Sequence, residues 1–210
     1  ITGAPVSYAH GPKIMWWREV RPEVYSRIRK FVLPSVYVVG RLCNLSADVA
    51  WIDHTCIHFS GFADNFKCDW SDRLITLFEM DKDKLPRIVK PWEIVGRMTK
   101  GTALACGLLD GTPVTAGAGD QAATCLGAGV TQPGLAFDVA GTASVFSCCV
   151  DKYSPDVKNR TVLFARAVQD DLWIPLAYIG GGGLCIRWMR DILSGGNTEI
   201  SYKVLEEEAE

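Results

Sequence analysis

The stretch that decides the fold is Pro113-Val114-Thr115-Ala116-Gly117-Ala118-Gly119-Asp120-Gln121-Ala122-Ala123-Thr124-Cys125-Leu126-Gly127. Its first five residues read as a buried strand. Asp120 follows almost at once, and the residues from Gln121 to Gly129 are mostly small and apolar, which suits a helix packed closely against its neighbours. Gln132-Pro133-Gly134 breaks that helix. A strand therefore ends in small residues and delivers an acid to a helix start.

Upstream of this corner the periodicity is helical. Pro22 at a first-turn position, followed by Val24, Tyr25, Ile28 and Phe31, predicts a helix with one buried face. Leu74, Leu77 and Phe78 after Ser71 and Asp72 repeat the pattern. Thr99 is placed to cap a short helix carrying Ala103 and Cys106 and ended by Gly107. Downstream the period changes to strands: Leu135 to Ala140, Ala143 to Val150, Thr161 to Val168 and Leu172 to Ala177, with Asp170-Asp171 as a hairpin turn. Four glycines, Gly180 to Gly183, lead into a helix from Leu184 to Leu193 on which Leu184 and Trp188 share a face. The expected division is 1–134 and 135–210. Neither internal repeats nor low-complexity segments interrupt this order.

Composition narrows the function classes. The chain has 210 residues, 48% of them apolar, and 22 Lys plus Arg against 24 Asp plus Glu, for a net charge of -2. Without a basic footprint or a block of like charges, nucleic acid is not an expected partner. No apolar run reaches the roughly 18 residues that span a bilayer, so a membrane is not expected either. Eight cysteines are spread through the chain with no C-x-x-C pair. Cys106, Cys125 and Cys185 sit among Ala, Leu and Ile, where a free thiol behaves as a small hydrophobe, and a cytoplasmic protein is expected. Asn44-Leu45-Ser46 and Asn159-Arg160-Thr161 match a glycosylation pattern that recurs by chance and are set aside. The start at Ile1, and a last stretch from Ile200 to Glu210 that reads as an amphipathic helix without a terminator, give the expectation of an internal piece of a longer protein.

Three features can carry chemistry, and each has a plain structural reading beside it. Gly117-Ala118-Gly119-Asp120-Gln121 lets a ligand approach the backbone and sets a carboxylate at a helix N-terminus, where its ionised form is favoured; Asp120 would equally serve as a helix cap. Gly141-Thr142 after a short strand offers amides and a hydroxyl to phosphate oxygens, or closes a turn or bulge. Gly180 to Gly183 before a helix cradles an anion or closes a loop. His54, Cys56 and His58 are metal-ligating residue types at close spacing, but no Glu follows His54 and no third ligand stands at a typical spacing, so no metal site is expected. The seven tryptophans read as core or interface residues.

The ordered set Lys13-Ile14-Met15-Trp16, Pro22-Glu23, Ala47-Asp48, Thr55, Asp69-Trp70, Leu85-Pro86, Gly96, Gly111-Thr112-Pro113-Val114 and Gly119-Asp120-Gln121-Ala122-Ala123 resembles the FGGY family of carbohydrate kinases. It continues through Leu126-Gly127-Ala128-Gly129, Gly134, Gly141-Thr142 and Arg187-Trp188-Met189-Arg190-Asp191. The resemblance covers nearly the whole chain. It implies the α/β, ribonuclease H-like fold of the actin, hexokinase and chaperone ATPases, with residues 1–134 as the later part of a first, sugar-binding domain. Residues 135–210 would begin a second, ATP-binding domain.

By the same resemblance Asp120 is the catalytic base, Tyr8 and Gln121 bind the acceptor, and Gly141, Thr142, Gly183 and Arg187 line the nucleotide site. ATP and Mg²⁺ are implied as cofactors, a small sugar as partner, and a homodimer is left open. The implied reaction is transfer of phosphate to a sugar hydroxyl, foremost the terminal hydroxyl of D-xylulose. Ribulose, glycerol and erythritol stay open as acceptors, and so does a non-catalytic ATP or sugar sensor. Ala143 stands where the family commonly has Ser, and His10 and Trp17 depart from its usual residues. An Asp-x-Gly-Thr phosphate loop and an adenine-binding segment are not in these 210 residues, so the chain alone is expected to be inactive.

Overall fold

In a computed structural model, which describes residues 1–4, 9–194 and 202–209, the first half of the chain sets helices around short strand pairs. The order is α1 (His10–Val20), α2 (Pro22–Tyr25), α3 (Pro34–Cys43), β1 (Trp51–Asp53), β2 (Ala63–Asp64), β3 (Asp69–Trp70), α4 (Asp72–Leu77), β4 (Arg87–Val89), β5 (Ile94–Arg97), α5 (Lys100–Ala105), β6 (Pro113–Thr115) and α6 (Asp120–Gly127). The second half is β7 (Ala136–Ala140), β8 (Ser144–Cys148), β9 (Val162–Arg166), β10 (Trp173–Ile179), α7 (Gly182–Leu193) and α8 (Tyr202–Ala209). No described helix is long and apolar enough to cross a membrane.

Local chemistry explains several of these boundaries. Ser71 Oγ accepts the amide of Leu74 and opens α4, and Thr99 Oγ1 accepts the amide of Thr102 and opens α5. Gly107, at φ +69°, follows the end of α5 in the left-handed conformation that a glycine adopts without strain. α2 stops at Tyr25, short of the expected Phe31. Beyond it the amide of Phe31 donates to the carbonyl of Lys84 at 2.9 Å, and Lys84 Nζ donates back to the carbonyl of Ile28 at 2.7 Å, so tertiary bonds replace helical ones. On α4 the buried side chain is Ile75, while Leu77 is exposed, which turns the expected face by part of a turn. Neither α1 nor α3 was read from the sequence: in α1 the apolar residues Ile14 to Trp17 are contiguous, and the pattern carries no face.

β1 pairs parallel with β4, whereas β2 with β3 and β5 with β6 are antiparallel. The strand expected at 113–117 is shorter than read, and it is not buried: Pro113 and Thr115 are exposed. The second half bears out the strand reading. β7, β8, β10 and β9 form one antiparallel sheet in that order, and Asp171 turns β9 into β10 at φ +57°.

α6 packs on this sheet through Ala122 and Cys125, which join Val130, Cys149, Ala167 and Ile174 in one buried cluster. Small side chains at 122 and 125 allow the close approach that the sequence implied. The two halves are also pinned by polar contacts. Arg166 donates to the carbonyls of Asn65 and Phe66 at 2.9 Å and lies over the Trp173 ring at 4.4 Å. Asn65 Nδ2 donates to the carbonyl of Phe164 at 2.6 Å, and Lys90 pairs with Asp170. All eight cysteines are free; Cys125 is buried as expected, but Cys106 and Cys185 are exposed.

Candidate active site

α6 begins at Asp120 behind an N-cap, Gly119, that has no side chain of its own. The N-cap residue's own amide is held by a residue distant in the chain. The amide of Gly119 donates to Thr55 Oγ1 at 2.8 Å, and the Thr55 hydroxyl donates to Asp53 Oδ1, which also accepts the Thr55 amide at 3.0 Å. Asp53 and Thr55 are both buried, at 6% and 3% exposure. No side chain fits at Gly119: a Cβ there would lie 2.9 Å from Cys56 Sγ and 3.3 Å from Thr55 Oγ1.

Asp120 itself is exposed at the mouth of a cavity of about 470 Å³. Its Oδ1 accepts the amide of Gln121 at 2.7 Å, and Oδ2 has no protein partner among the described residues. Gln121 Nε2 donates to the buried Ser147 hydroxyl on β8 at 2.8 Å, tying the helix start to the sheet. Apolar residues of the sheet, Val145, Ile174 and Leu176 among them, also line this cavity, as do His10, Cys56, His58 and Tyr178. Three other cavities, of about 230, 390 and 580 Å³, have no carboxylate in their linings. The Asp120 cavity therefore combines an acid, a helix start and two elements from different halves of the chain.

Burial tunes the neighbouring groups toward neutrality. It pushes the Cys56 thiol far up, with the Asp53 carboxylate adding to the effect, so this sulfur stays protonated near neutral pH. Burial also pushes His58 down to about 4. The Thr55 carbonyl acts in the opposite direction, although neither ring nitrogen of His58 reaches it with hydrogen-bond geometry, and His10 lowers the value further. His10 is lowered by burial and then by Lys13. His54, set aside as a metal ligand, turns its Nε2 to the carbonyls of Ala167 and Val168 at 3.0 and 3.2 Å.

Gly141 and Thr142 form the turn between β7 and β8, and the start of α7 sits against them. The amide of Gly183 donates to the Gly141 carbonyl at 2.7 Å, and that of Leu184 to the Thr142 carbonyl at 3.3 Å. No side chain fits at Gly183, where a Cβ would fall 2.6 Å from the Gly141 carbonyl oxygen. Three of the residues singled out from the sequence are thus brought together, but two α7 amides that an anion would use are spent on protein carbonyls. Thr142 is exposed, as is Arg187 one turn further along α7. Tyr8 lies outside the described residues. Sequence reading gave no role to Asp53, Thr55, Ser147, His10 or Tyr178; the one local signal was Asp53-His54-Thr55, the spacing of an Asx turn.

The profile of the FGGY family of carbohydrate kinases, N-terminal domain, matches residues 1–127. The gluconokinase of Bacillus subtilis (strain 168) is 26% identical over 204 residues, covering 97% of this chain and 39% of that protein. The xylulose kinase of Escherichia coli (strain K12) is 26% identical over 184 residues, covering 84% of this chain and 35% of that protein. Among solved structures, a xylulose kinase from Rhodospirillum rubrum superposes with a TM-score of 0.83 at 22% identity, covering 94% of this chain and 39% of that one. The chain spans about two fifths of the length of the first of these relatives.

Proposed function

The chain belongs to the FGGY family of carbohydrate kinases, and from that premise we propose that it carries the acceptor side of an ATP-dependent sugar kinase with Asp120 as base. Its fold is the α/β fold of the actin, hexokinase and chaperone ATPases. The observation that carries the proposal is the single carboxylate, Asp120, at the helix start that lines the 470 Å³ cavity together with the sheet. We read 1–134 and 135–210 as the two domain portions that meet there.

In this reading an acceptor hydroxyl lies against Asp120 Oδ2. Its oxygen attacks the γ-phosphorus of ATP, the bond from that phosphorus to the bridging oxygen of ADP breaks, and the hydroxyl proton passes to Asp120. Phosphoryl transfer through a loose transition state asks mainly for position and charge neutralisation, so a weakly basic carboxylate suffices. Gln121, whose amide nitrogen is held by Ser147, keeps a carbonyl oxygen for a second acceptor hydroxyl; Tyr8 is proposed for the same role. The Thr142 hydroxyl, with Gly141, Gly183 and Arg187, is assigned to the nucleotide. Among the described residues no group of three or more His, Cys, Asp or Glu forms a metal cage, and Mg²⁺ is read as coming with ATP, where it would neutralise the β- and γ-phosphates.

The proposed acceptor is the terminal hydroxyl of D-xylulose. A gluconokinase among the relatives raises a charged acceptor, but no lysine or arginine is among the described residues lining the cavity. The test is Asp120→Asn in the kinase carrying this sequence, which is expected to lower kcat by roughly 10² to 10⁴-fold with the KM for ATP nearly unchanged. Activity within about threefold of the parent would overturn the base assignment, since the Asn side-chain oxygen still accepts the Gln121 amide and preserves the helix start. Assayed against D-xylulose, ribulose, glycerol, erythritol and gluconate, the parent is expected to show its highest kcat/KM with D-xylulose.

A further inference from the structure

We propose that Thr55, anchored by the buried carboxylate of Asp53, is a positioning residue that sets the direction of Asp120 and thereby the rate of transfer. The inference rests on reading Asp120 as the base. A helix start leaves its first amides without intrahelical partners, that of the N-cap residue among them. The amide of Gly119 finds its acceptor 64 residues away.

The Thr55 hydroxyl has one proton, and it is committed to Asp53 Oδ1, so the lone pairs of the same oxygen are left for the Gly119 amide. Asp53 ends β1, which is paired with β4 and buried, and Oδ1 is held from a second side by the Thr55 amide. A rigid strand is thereby connected through two side chains to the backbone one residue before the base. Cys56 Sγ and Thr55 Oγ1 both crowd the position a Cβ on Gly119 would take, at 2.9 and 3.3 Å, so only glycine brings this backbone close enough to the Thr55 hydroxyl. Asp120, by contrast, has among the described residues only the adjacent Gln121 amide on its own carboxylate. Displacement of a catalytic group by about 1 Å costs on the order of 10²-fold in rate, so a hydroxyl that holds this backbone acts on kcat and not on binding.

The experiment compares Thr55→Val, Thr55→Ser and Asp120→Asn in the kinase carrying this sequence. Thr55→Val keeps shape and removes the hydroxyl; kcat is expected to fall about 10- to 100-fold, with the KM for sugar and for ATP within about threefold. Thr55→Ser returns the hydroxyl and is expected to restore kcat to within about threefold. Hydrogen exchange at the Gly119 amide, read by NMR, is expected to quicken at least about tenfold in the Val variant and not in the Ser variant. Should the Val variant fail to fold, Thr55→Cys, close in size to Ser and a weak acceptor, replaces it in both measurements. An inactive Asp120→Asn beside a Val (or Cys) variant with parental kcat and unchanged exchange overturns the positioning role and leaves the base reading intact. An active Asp120→Asn overturns the base reading, and this inference with it.

Discussion

His58 provides a titration that the fold opposes and that a single substitution isolates. The side chain is 4% exposed, its ring centroid lies 4.0 Å from that of Phe59, and neither nitrogen has a hydrogen-bond partner among the described residues. Protonating it in place would bury an unpaired cation, and burial accordingly lowers its pKa from 6.5 to about 4. The unfolded chain takes up a proton as pH falls through 6.5, whereas the folded chain does not until about 4. Stability from the neutral ring is therefore fully present above 6.5, declines between 6.5 and 4, and declines no further below that. Between pH 7 and pH 4.5 the linkage relation gives a loss of about 2 to 3 kcal/mol from this residue. His10 and His54 are lowered as well and act in the same direction, so the comparison must subtract them. His58→Phe does so: it keeps an aromatic ring against Phe59 and sacrifices no hydrogen bond. Urea unfolding followed by tryptophan fluorescence at the two pH values, with equal slopes confirmed, measures the difference. The parent is expected to lose about 2 to 3 kcal/mol more than the variant on acidification. Equal losses within about 0.5 kcal/mol would refute the argument, because an exposed or hydrogen-bonded histidine behaves that way.

Two further outcomes follow from packing. Gly183→Ala places a methyl group 2.6 Å from the Gly141 carbonyl oxygen, so the α7 start must move off the β7–β8 turn; a cost of about 1 to 3 kcal/mol in thermal unfolding is expected, with the KM for ATP rising and that for sugar unchanged, and unaltered stability would show that the turn and helix are not in contact. Arg166→Met removes two hydrogen bonds to the carbonyls of Asn65 and Phe66 and a cation on the Trp173 face; a loss of about 2 to 4 kcal/mol by denaturant unfolding is expected, and a loss under about 0.5 kcal/mol would mean the two halves are held by the apolar cluster alone.

Local signals carried the sequence reading wherever a residue's neighbours in the chain are also its partners in space. The cap at Thr99, the glycine after α5, the break at Gln132-Pro133-Gly134, the four strands of the second half and the helix after Gly180 to Gly183 are of this kind. Of the helices that escaped it, α1 has no such signal, starting at His10-Gly11-Pro12 with no capping side chain and with its apolar residues side by side; α3 does carry one, Pro34 in its first turn and the left-handed Asn44 after its last. α2 was read too long because the periodic residues Ile28 and Phe31 are indeed placed inward, but on a segment whose amide and carbonyl groups are satisfied by Lys84. Periodicity reports burial and does not report which hydrogen bonds hold the backbone.

The candidate site divides in the same way. That an acid would follow a strand and open a helix of small residues was legible in residues 113 to 127 alone, because the β-branched Val114 and Thr115 give way at Gly117 and Gly119 to a run rich in alanine, which favours helix. The sequence by itself also determined that Gly141-Thr142 would turn one strand into the next. Only the tertiary structure decided that Thr55 and Asp53 hold the peptide before Asp120, that Ser147 holds Gln121, and that Gly183 closes on Gly141. Each of these is a hydrogen bond between residues 26 to 64 positions apart, and the long-range partner of a donor depends on which elements pack together, a choice made by the summed burial of side chains such as Ala122, Cys125, Cys149 and Ile174 and not written in the spacing around either end of the bond.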